Sequence, residues 1–94
     1  MKVSLGENNN WRVGWEHAKD HSYTRCFITK VEEGNQYLTQ FIGEAIVHPK
    51  DVQRYNKDTG RKVSLSRALK VGDFPAHQQQ EFWKAYLEMR NGKW

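Results

Sequence analysis

The sequence predicts an α+β fold, in which an antiparallel sheet of three or four strands is followed by two C-terminal helices. Three observations favour it. Apolar and polar residues alternate in the first half, apolar residues recur three and four positions apart in the last third, and the strand patterns precede the helix patterns. With 94 residues, the chain suits one small core, and we expect residues 1–94 to form a single domain.

The first two strands are indicated by alternation on either side of an asparagine-rich loop. Val3 and Leu5 alternate with polar residues, which predicts a short first strand. Trp11, Val13 and Trp15 then alternate with Arg, Gly and Glu, and this places three large apolar side chains on one face of a second strand.

The third and fourth strands form a predicted hairpin. Residues from Tyr23 to Val31 are rich in β-branched and aromatic types, and residues 32–36 provide the turn. The segment from Tyr37 to Val47 is apolar on both faces. It is therefore expected to be a central strand, or to be covered on its second face by the helices or by another subunit. Pro49 ends it, because proline cannot donate to a strand ladder.

The first helix is predicted from Leu65, Ala68 and Leu69, which share one face. Asp58-Thr59-Gly60 has the composition of a tight turn, and Ser64 can cap a helix N-terminus. We therefore expect a turn that leads into a short amphipathic helix near Ser64.

The second helix follows at once. Gly72 fits the C-terminal cap of the first helix, Asp73 the N-cap of the second, and Pro75 its first turn. The helix is expected to continue to about Arg90. Its apolar stripe is formed by Phe82, Trp83, Tyr86, Leu87 and Met89.

Charge is distributed unevenly. From Met1 to His48 there are five Lys or Arg against six Asp or Glu, whereas the remaining residues hold ten against five. The window from Lys50 to Lys70 alone carries seven basic and two acidic residues. Such a concentration of positive charge attracts anionic partners.

Within this basic window, the predicted turn would deliver Arg61 and Lys62 to a helix N-terminus. Unpaired N–H groups and the helix dipole favour an anion there. The sequence is not a P-loop, because Lys62 is followed by valine instead of Ser or Thr. The candidate anion- or nucleotide-binding residues are Arg61, Lys62, Ser64, Arg67, Lys70 and Tyr55. The alternative is a solvated basic surface.

Aromatic residues could stack on a nucleobase. Most of them are expected in the core, because they lie on the apolar faces of predicted strands and helices. The residues expected there are Trp11, Trp15, Trp83 and Tyr86. Tyr55 and Trp94 fall outside these periodicities. Tyr55 also lies inside the basic window, where a ring beside cations suits a base next to its phosphate.

Metal and catalytic sites are weakly indicated. His17 and His21, with Cys26 or His48, could supply zinc ligands, but they lie in a predicted loop that does not make them converge. His48 could act as a general base oriented by Asp51, with Ser64 or Ser66 as the nucleophile. No sequence pattern indicates that these groups lie close together. We therefore expect no metal, no cofactor and no catalysis.

Cysteine usage and hydropathy bear on the compartment. Cys26 is the only cysteine, and no long apolar run occurs. These features predict a soluble protein of a reducing cytoplasm, without a membrane segment.

Three stretches, residues 48–51, 60–69 and 82–86, together resemble a pattern in small phage-encoded proteins: HPKD, GRKVSLSRAL and FWKAY. The resemblance covers roughly the last half of the chain. It implies expression inside an infected bacterium and a role in countering host defence by binding. In outline, a basic protein with strands first and helices last is similar to phage anti-Thoeris proteins, which sequester cyclic ADP-ribose-type signals.

Three function classes follow. The first is sequestration of a phosphorylated, cyclic nucleotide signal, with a homo-oligomer completing the pocket. The second is nucleic-acid binding along the basic window. The third is inhibition of a host defence complex, such as a CRISPR effector. A basic inhibitor would have to cover an acidic patch of that complex, or compete where the effector is not binding its nucleic acid.

Overall fold

The computed structural model describes residues 1–7, 9–31, 39–50 and 56–92. These residues form a four-stranded antiparallel sheet with strands in the order β1-β2-β3-β4, followed by two helices. The predicted α+β architecture is therefore confirmed. The elements are β1 (Lys2–Ser4), β2 (Asn10–His17), β3 (Tyr23–Val31), β4 (Gln40–Ile46), α1 (Lys57–Val71) and α2 (Ala76–Arg90).

The core lies between one face of the sheet and the two helices. In β2, Trp11 and Val13 are buried and Trp15 is half-buried, as the alternation predicts. In β3, every second residue from Thr24 to Ile28 is buried. The helices contribute six further buried side chains: Leu65, Ala68, Leu69, Phe82, Ala85 and Tyr86.

The prediction that the fourth strand is central is wrong. Strand β4 is the last strand of the sheet, and only its inner-face residues Gly43 and Ala45 are buried. On the outer face, Ile42 and Ile46 remain 46% and 74% exposed, because both helices pack on the other face. Coverage of this second face by another subunit stays a prediction. The predicted turn at residues 32–36 and the strand start at Tyr37 lie outside the described residues.

The predicted start of the first helix is also wrong. Helix α1 begins at Lys57, because the Asn56 side-chain oxygen accepts hydrogen bonds from the backbone N–H groups of Asp58 and Thr59. The expected turn at Asp58-Thr59-Gly60 is therefore the first turn of the helix. Ser64 is not a cap: it is buried in mid-helix, and its hydroxyl donates to the Gly60 carbonyl oxygen at 2.7 Å.

The junction between the helices confirms Gly72 as the C-cap of α1 but not Asp73 as the N-cap of α2. Asp73 has a left-handed backbone, with φ of 53°. Its N–H donates to the Lys70 carbonyl at 3.1 Å, and the Phe74 N–H donates to the Leu69 carbonyl at 3.3 Å. This is a Schellman motif, in which Asp73 takes the position that glycine usually holds.

Replacing Asp73 with glycine is expected to stabilise the protein by about 0.5–1 kcal/mol, since glycine adopts a left-handed backbone without a Cβ penalty. Urea unfolding of both proteins measures the difference. Asp73→Ala is the control, because it removes the carboxylate but keeps Cβ. A gain for both variants would show that the carboxylate, and not the backbone, is responsible.

Candidate functional site

An open cavity of about 560 Å³ lies where the end of β2 meets the first turns of α1 and the last turns of α2. Its lining combines aromatic, basic and acidic side chains from three elements that are far apart in sequence. The lining residues are Trp15, His17, Asn56, Asp58, Arg61, Tyr86, Met89 and Arg90.

Two aromatic rings form one wall of the cavity. Trp15 and Tyr86 meet edge to face, with ring centroids 5.7 Å apart and an interplanar angle of 67°. The Trp15 indole Nε1–H donates to the Arg61 carbonyl oxygen at 3.2 Å, which fixes this ring against α1. Trp83 also meets Tyr86 edge to face, at 6.1 Å between centroids. The wall therefore makes contacts with both helices.

Asp58 is the centre of the polar contacts at the cavity. Its Oδ1 accepts a short hydrogen bond from the Tyr86 hydroxyl. Its Oδ2 lies 3.1 Å from Lys62 Nζ, one helical turn along α1, and 3.7 Å from Arg90 Nε on α2. One carboxylate thus ties together the start of α1 and the end of α2.

These contacts shift two pKa values in opposite directions. The hydrogen bond from Tyr86, together with Lys62 and Arg90, lowers the pKa of Asp58 below its ordinary value. Burial, reinforced by the Asp58 carboxylate, raises the pKa of Tyr86 to about 12. At neutral pH the aspartate is therefore ionised and the phenol keeps its proton, so the Tyr86 hydroxyl remains a hydrogen-bond donor.

His17 lines the cavity at the end of β2. Its Nδ1 lies 2.9 Å from the Thr24 hydroxyl. Burial lowers the pKa of His17, and the positive charges of Arg61 and Lys57 lower it further. Both effects favour the neutral imidazole, and burial is the larger of the two.

The arrangement suits a small ligand that has both a ring and a negative charge. Arginine supplies paired N–H donors to phosphate or carboxylate oxygens, and aromatic faces bind bases. Arg61 and Arg90 provide two positive charges in the lining against the one negative charge of Asp58. The volume falls within the ordinary range of small-molecule sites.

The predicted anion-binding residues are separated by the structure. Arg61 lines the cavity, and Lys62 forms an ion pair with Asp58, which also lines it. Ser64 is fully buried and donates within its own helix. Arg67 donates from Nη1 to the Glu44 carbonyl oxygen on β4 at 2.6 Å, and Lys70 is exposed. Tyr55 lies outside the described residues.

The helical start explains this separation. Arg61 and Lys62 lie in the second turn of α1 and not at a free N-terminus. Arg67 follows Arg61 by six positions, which rotates it by about 240° around the helix axis. Arg61 therefore lies at the cavity, while Arg67 lies at the edge of the sheet.

Sequence reasoning missed several lining residues or assigned them other roles. Trp15 and Tyr86 were expected only in the core, Asp58 in a turn, and Arg90 only at a helix end. The four-residue spacing of Asp58 and Lys62 was a usable signal for a helical ion pair. No local pattern brings Arg90 to Asp58, because that contact depends on how α2 packs.

Other candidate chemistry finds little support in the described ranges. Burial raises the pKa of the Cys26 thiol to about 12, so this cysteine is a core residue and not a nucleophile. Among residues 1–7, 9–31, 39–50 and 56–92, no three His, Cys, Asp or Glu side chains cluster to hold a metal ion. Asp51 and Trp94 lie outside those ranges.

Comparison with known proteins adds no assignment to this site. No family model, curated protein or solved structure matches the chain. Neither described helix has the length and apolar character required to cross a membrane.

Proposed function

We propose that this protein binds a small phosphorylated nucleotide in the cavity between β2, α1 and α2, without transforming it. The observation that carries the proposal is the presence of an aromatic wall, Trp15 and Tyr86, in the same cavity as Arg61 and Arg90. A base would stack against the exposed part of Trp15. A phosphate would accept hydrogen bonds from the two guanidinium groups.

Asp58 limits which ligands fit. Its carboxylate repels additional negative charge, so a ligand with one or two phosphate charges is preferred over a triphosphate. The same carboxylate can accept a hydrogen bond from a sugar hydroxyl. Both effects favour a compact nucleotide over a long polyanion.

The biological role that we propose for such binding is sequestration of a cyclic nucleotide signal in an infected bacterium, as the phage-protein resemblance implies. A binder with no turnover must match its ligand in amount, so tight binding with whole-number stoichiometry is expected. Oligomerisation, in which a second subunit closes the open side of the cavity, is part of this proposal.

Arg61→Ala is expected to weaken nucleotide binding by more than about 1.5 kcal/mol, roughly tenfold, because a charge-assisted hydrogen bond is lost. Arg67→Ala is the matched control: it removes the same side chain from the same helix, but at the edge of the sheet. Native mass spectrometry with a panel of cyclic and linear nucleotides identifies a ligand, and isothermal titration gives the affinities of both variants.

Other outcomes would contradict the proposal in distinguishable ways. If Arg61→Ala and Arg67→Ala weaken binding equally, the cavity is not the site. If only single-stranded DNA binds, with affinity that rises with length and falls steeply with salt, the basic window binds the phosphate backbone of nucleic acid. If neither nucleotides nor DNA bind, a protein target, such as a host defence complex, becomes the leading function.

A further inference from the structure

The outer edge of β4 presents strand backbone that no described strand pairs with, although the Glu44 carbonyl oxygen there accepts a hydrogen bond from Arg67. The Lys30 N–H donates to the Thr39 carbonyl at 2.8 Å, and the Val47 N–H donates to the Ser22 carbonyl at 2.8 Å. Odd-numbered residues of β4 therefore bond to β3, and even-numbered residues direct their N–H and C=O groups away from the sheet. These outward residues are Gln40, Ile42, Glu44 and Ile46. No described strand pairs with this edge.

Arg67 shows that hydrogen bonds can be made at this edge. Its Nη1 donates to the outward carbonyl oxygen of Glu44 at 2.6 Å. Lys70 and Val71 follow three and four positions later and share this side of α1. All three are exposed. The edge is thus bordered on its inner side by two cations and one apolar side chain.

Exposed apolar residues concentrate at the same place. The described residues include five large apolar side chains that are markedly exposed, and three of them border this edge. Ile42 is 46% and Ile46 74% exposed on the outer face of β4, while Val71 is 62% exposed on α1. Exposed apolar residues on both sides of one strand edge favour an interaction there more than scattered residues do.

We propose that the β4 edge binds an extended acidic segment of a partner protein, which adds to the sheet as a fifth strand. Charge decides between this occupant and a second copy of the chain. A second copy that paired β4 with β4 about a two-fold axis would bring its own Arg67 and Lys70 to the edge, opposing like charges. An acidic segment supplies the opposite sign. This inference concerns a surface separate from the cavity and does not depend on nucleotide binding.

The two faces of the edge specify the pattern of that segment. Successive side chains of an added strand point to opposite faces. Those on the α1 side meet Arg67 and Lys70, which favours Asp or Glu. Those on the outer side meet Ile42 and Ile46, with the Arg25–Glu44 ion pair between them, and apolar residues are favoured opposite the two isoleucines. The recognised sequence is therefore an alternation of acidic and apolar residues.

The test uses an acetylated peptide of alternating valine and glutamate, about seven residues long, titrated into the isotope-labelled protein. We expect NMR amide shifts at Gln40, Ile42 and Ile46. Arg67→Glu should weaken binding about tenfold or more, the scale of a charge-assisted hydrogen bond. Arg12→Glu, the same charge change on an exposed residue of β2, should leave the affinity within about twofold.

Two further peptides and one further measurement decide the outcome. A valine–lysine peptide should not bind. A valine–glutamate peptide with N-methyl groups on the backbone nitrogens that face β4 should also not bind. It keeps the charges but cannot donate backbone hydrogen bonds to β4. The proposal is overturned if the N-methylated peptide binds equally well, or if no β4 amide shifts. It is also overturned if sedimentation shows a dimer that Ile46→Lys dissociates, since the occupant would then be a second copy.

Discussion

Replacing Phe82 with alanine is expected to lower the free energy of unfolding by about 3–5 kcal/mol, because it removes a large ring from the core. Phe82 lies on α2 and is completely buried. Its ring meets Phe74 edge to face at 5.0 Å between centroids, and Phe74 in turn contacts Trp11 at 5.1 Å. Removing the ring therefore leaves a cavity in an aromatic cluster that joins the sheet to α2 and to the segment between the helices.

A chain of this size has little stability to lose. Native domains are stable by roughly 0.05–0.15 kcal/mol per residue, which is roughly 5–15 kcal/mol for a small domain. Thermal unfolding followed by circular dichroism should show a midpoint lowered by roughly 15 °C or more. Leu87→Ala, on the same helix but 48% exposed, should cost less than about 1 kcal/mol. Equal losses for the two variants would mean that α2 does not pack as described.

Gly43→Ala is expected to destabilise the protein by about 3 kcal/mol, through overpacking and not through a cavity. A Cβ atom at Gly43 would lie well inside van der Waals contact of the Ala68 nitrogen and the Ser64 carbonyl oxygen, and 2.8 Å from the Ala68 Cα. These are backbone atoms of α1, so no side-chain rotation relieves the overlap. The helix must move away from the sheet.

Gly14→Ala provides the matched control for this prediction. Gly14 is also a strand glycine, but it is exposed on the outer face of β2, and a Cβ there meets nothing within 4 Å. Chemical unfolding should therefore show a change within about 0.5 kcal/mol, or a slight gain, because alanine restricts the unfolded chain. If Gly43→Ala is as mild as Gly14→Ala, then α1 does not approach β4 as closely as the structure places it.

Both destabilising variants, Phe82→Ala and Gly43→Ala, would also disturb the cavity. Tyr86 lies one helical turn after Phe82, and Arg61 lies one turn before Leu65, so the core and the cavity share the same two helices. The contacts of Asp58 to Tyr86 and Arg90 require α1 and α2 to hold their positions. Nucleotide binding is therefore best tested with surface variants such as Arg61→Ala, which leave this core intact.

Local patterns determined most of the fold. The alternation through Trp11, Val13 and Trp15 predicted β2, because a strand has a two-residue period that one buried face makes visible. The limits of β3, Tyr23 and Val31, agree with the prediction at both ends. The end of α2 at Arg90 and the cap at Gly72 are likewise confirmed. In each case, the side chains that fix the element lie within it or beside it.

The errors arose where a local signal competed with a second cap or with tertiary packing. Asp58-Thr59-Gly60 has the composition of a turn, but Asn56 caps the helix earlier, and α1 buries Gly60 and Ser64 against the sheet. Packing outweighs weak local propensity at such positions. The apolar character of β4 on both faces suggested a central strand, whereas the order of strands places it at an edge.

Composition and periodicity are enough to predict the α+β class, the order of strands before helices, and the concentration of positive charge between Lys50 and Lys70. How that charge is divided between two places depends on tertiary packing. Arg61 lies at a cavity with Trp15, Asp58 and Tyr86, whereas Arg67 lies at the edge of β4. The six-residue spacing sets the angle between the two arginines once both lie in one helix. Their absolute directions depend on the packing of α1 on Gly43, a contact between residues far apart in sequence.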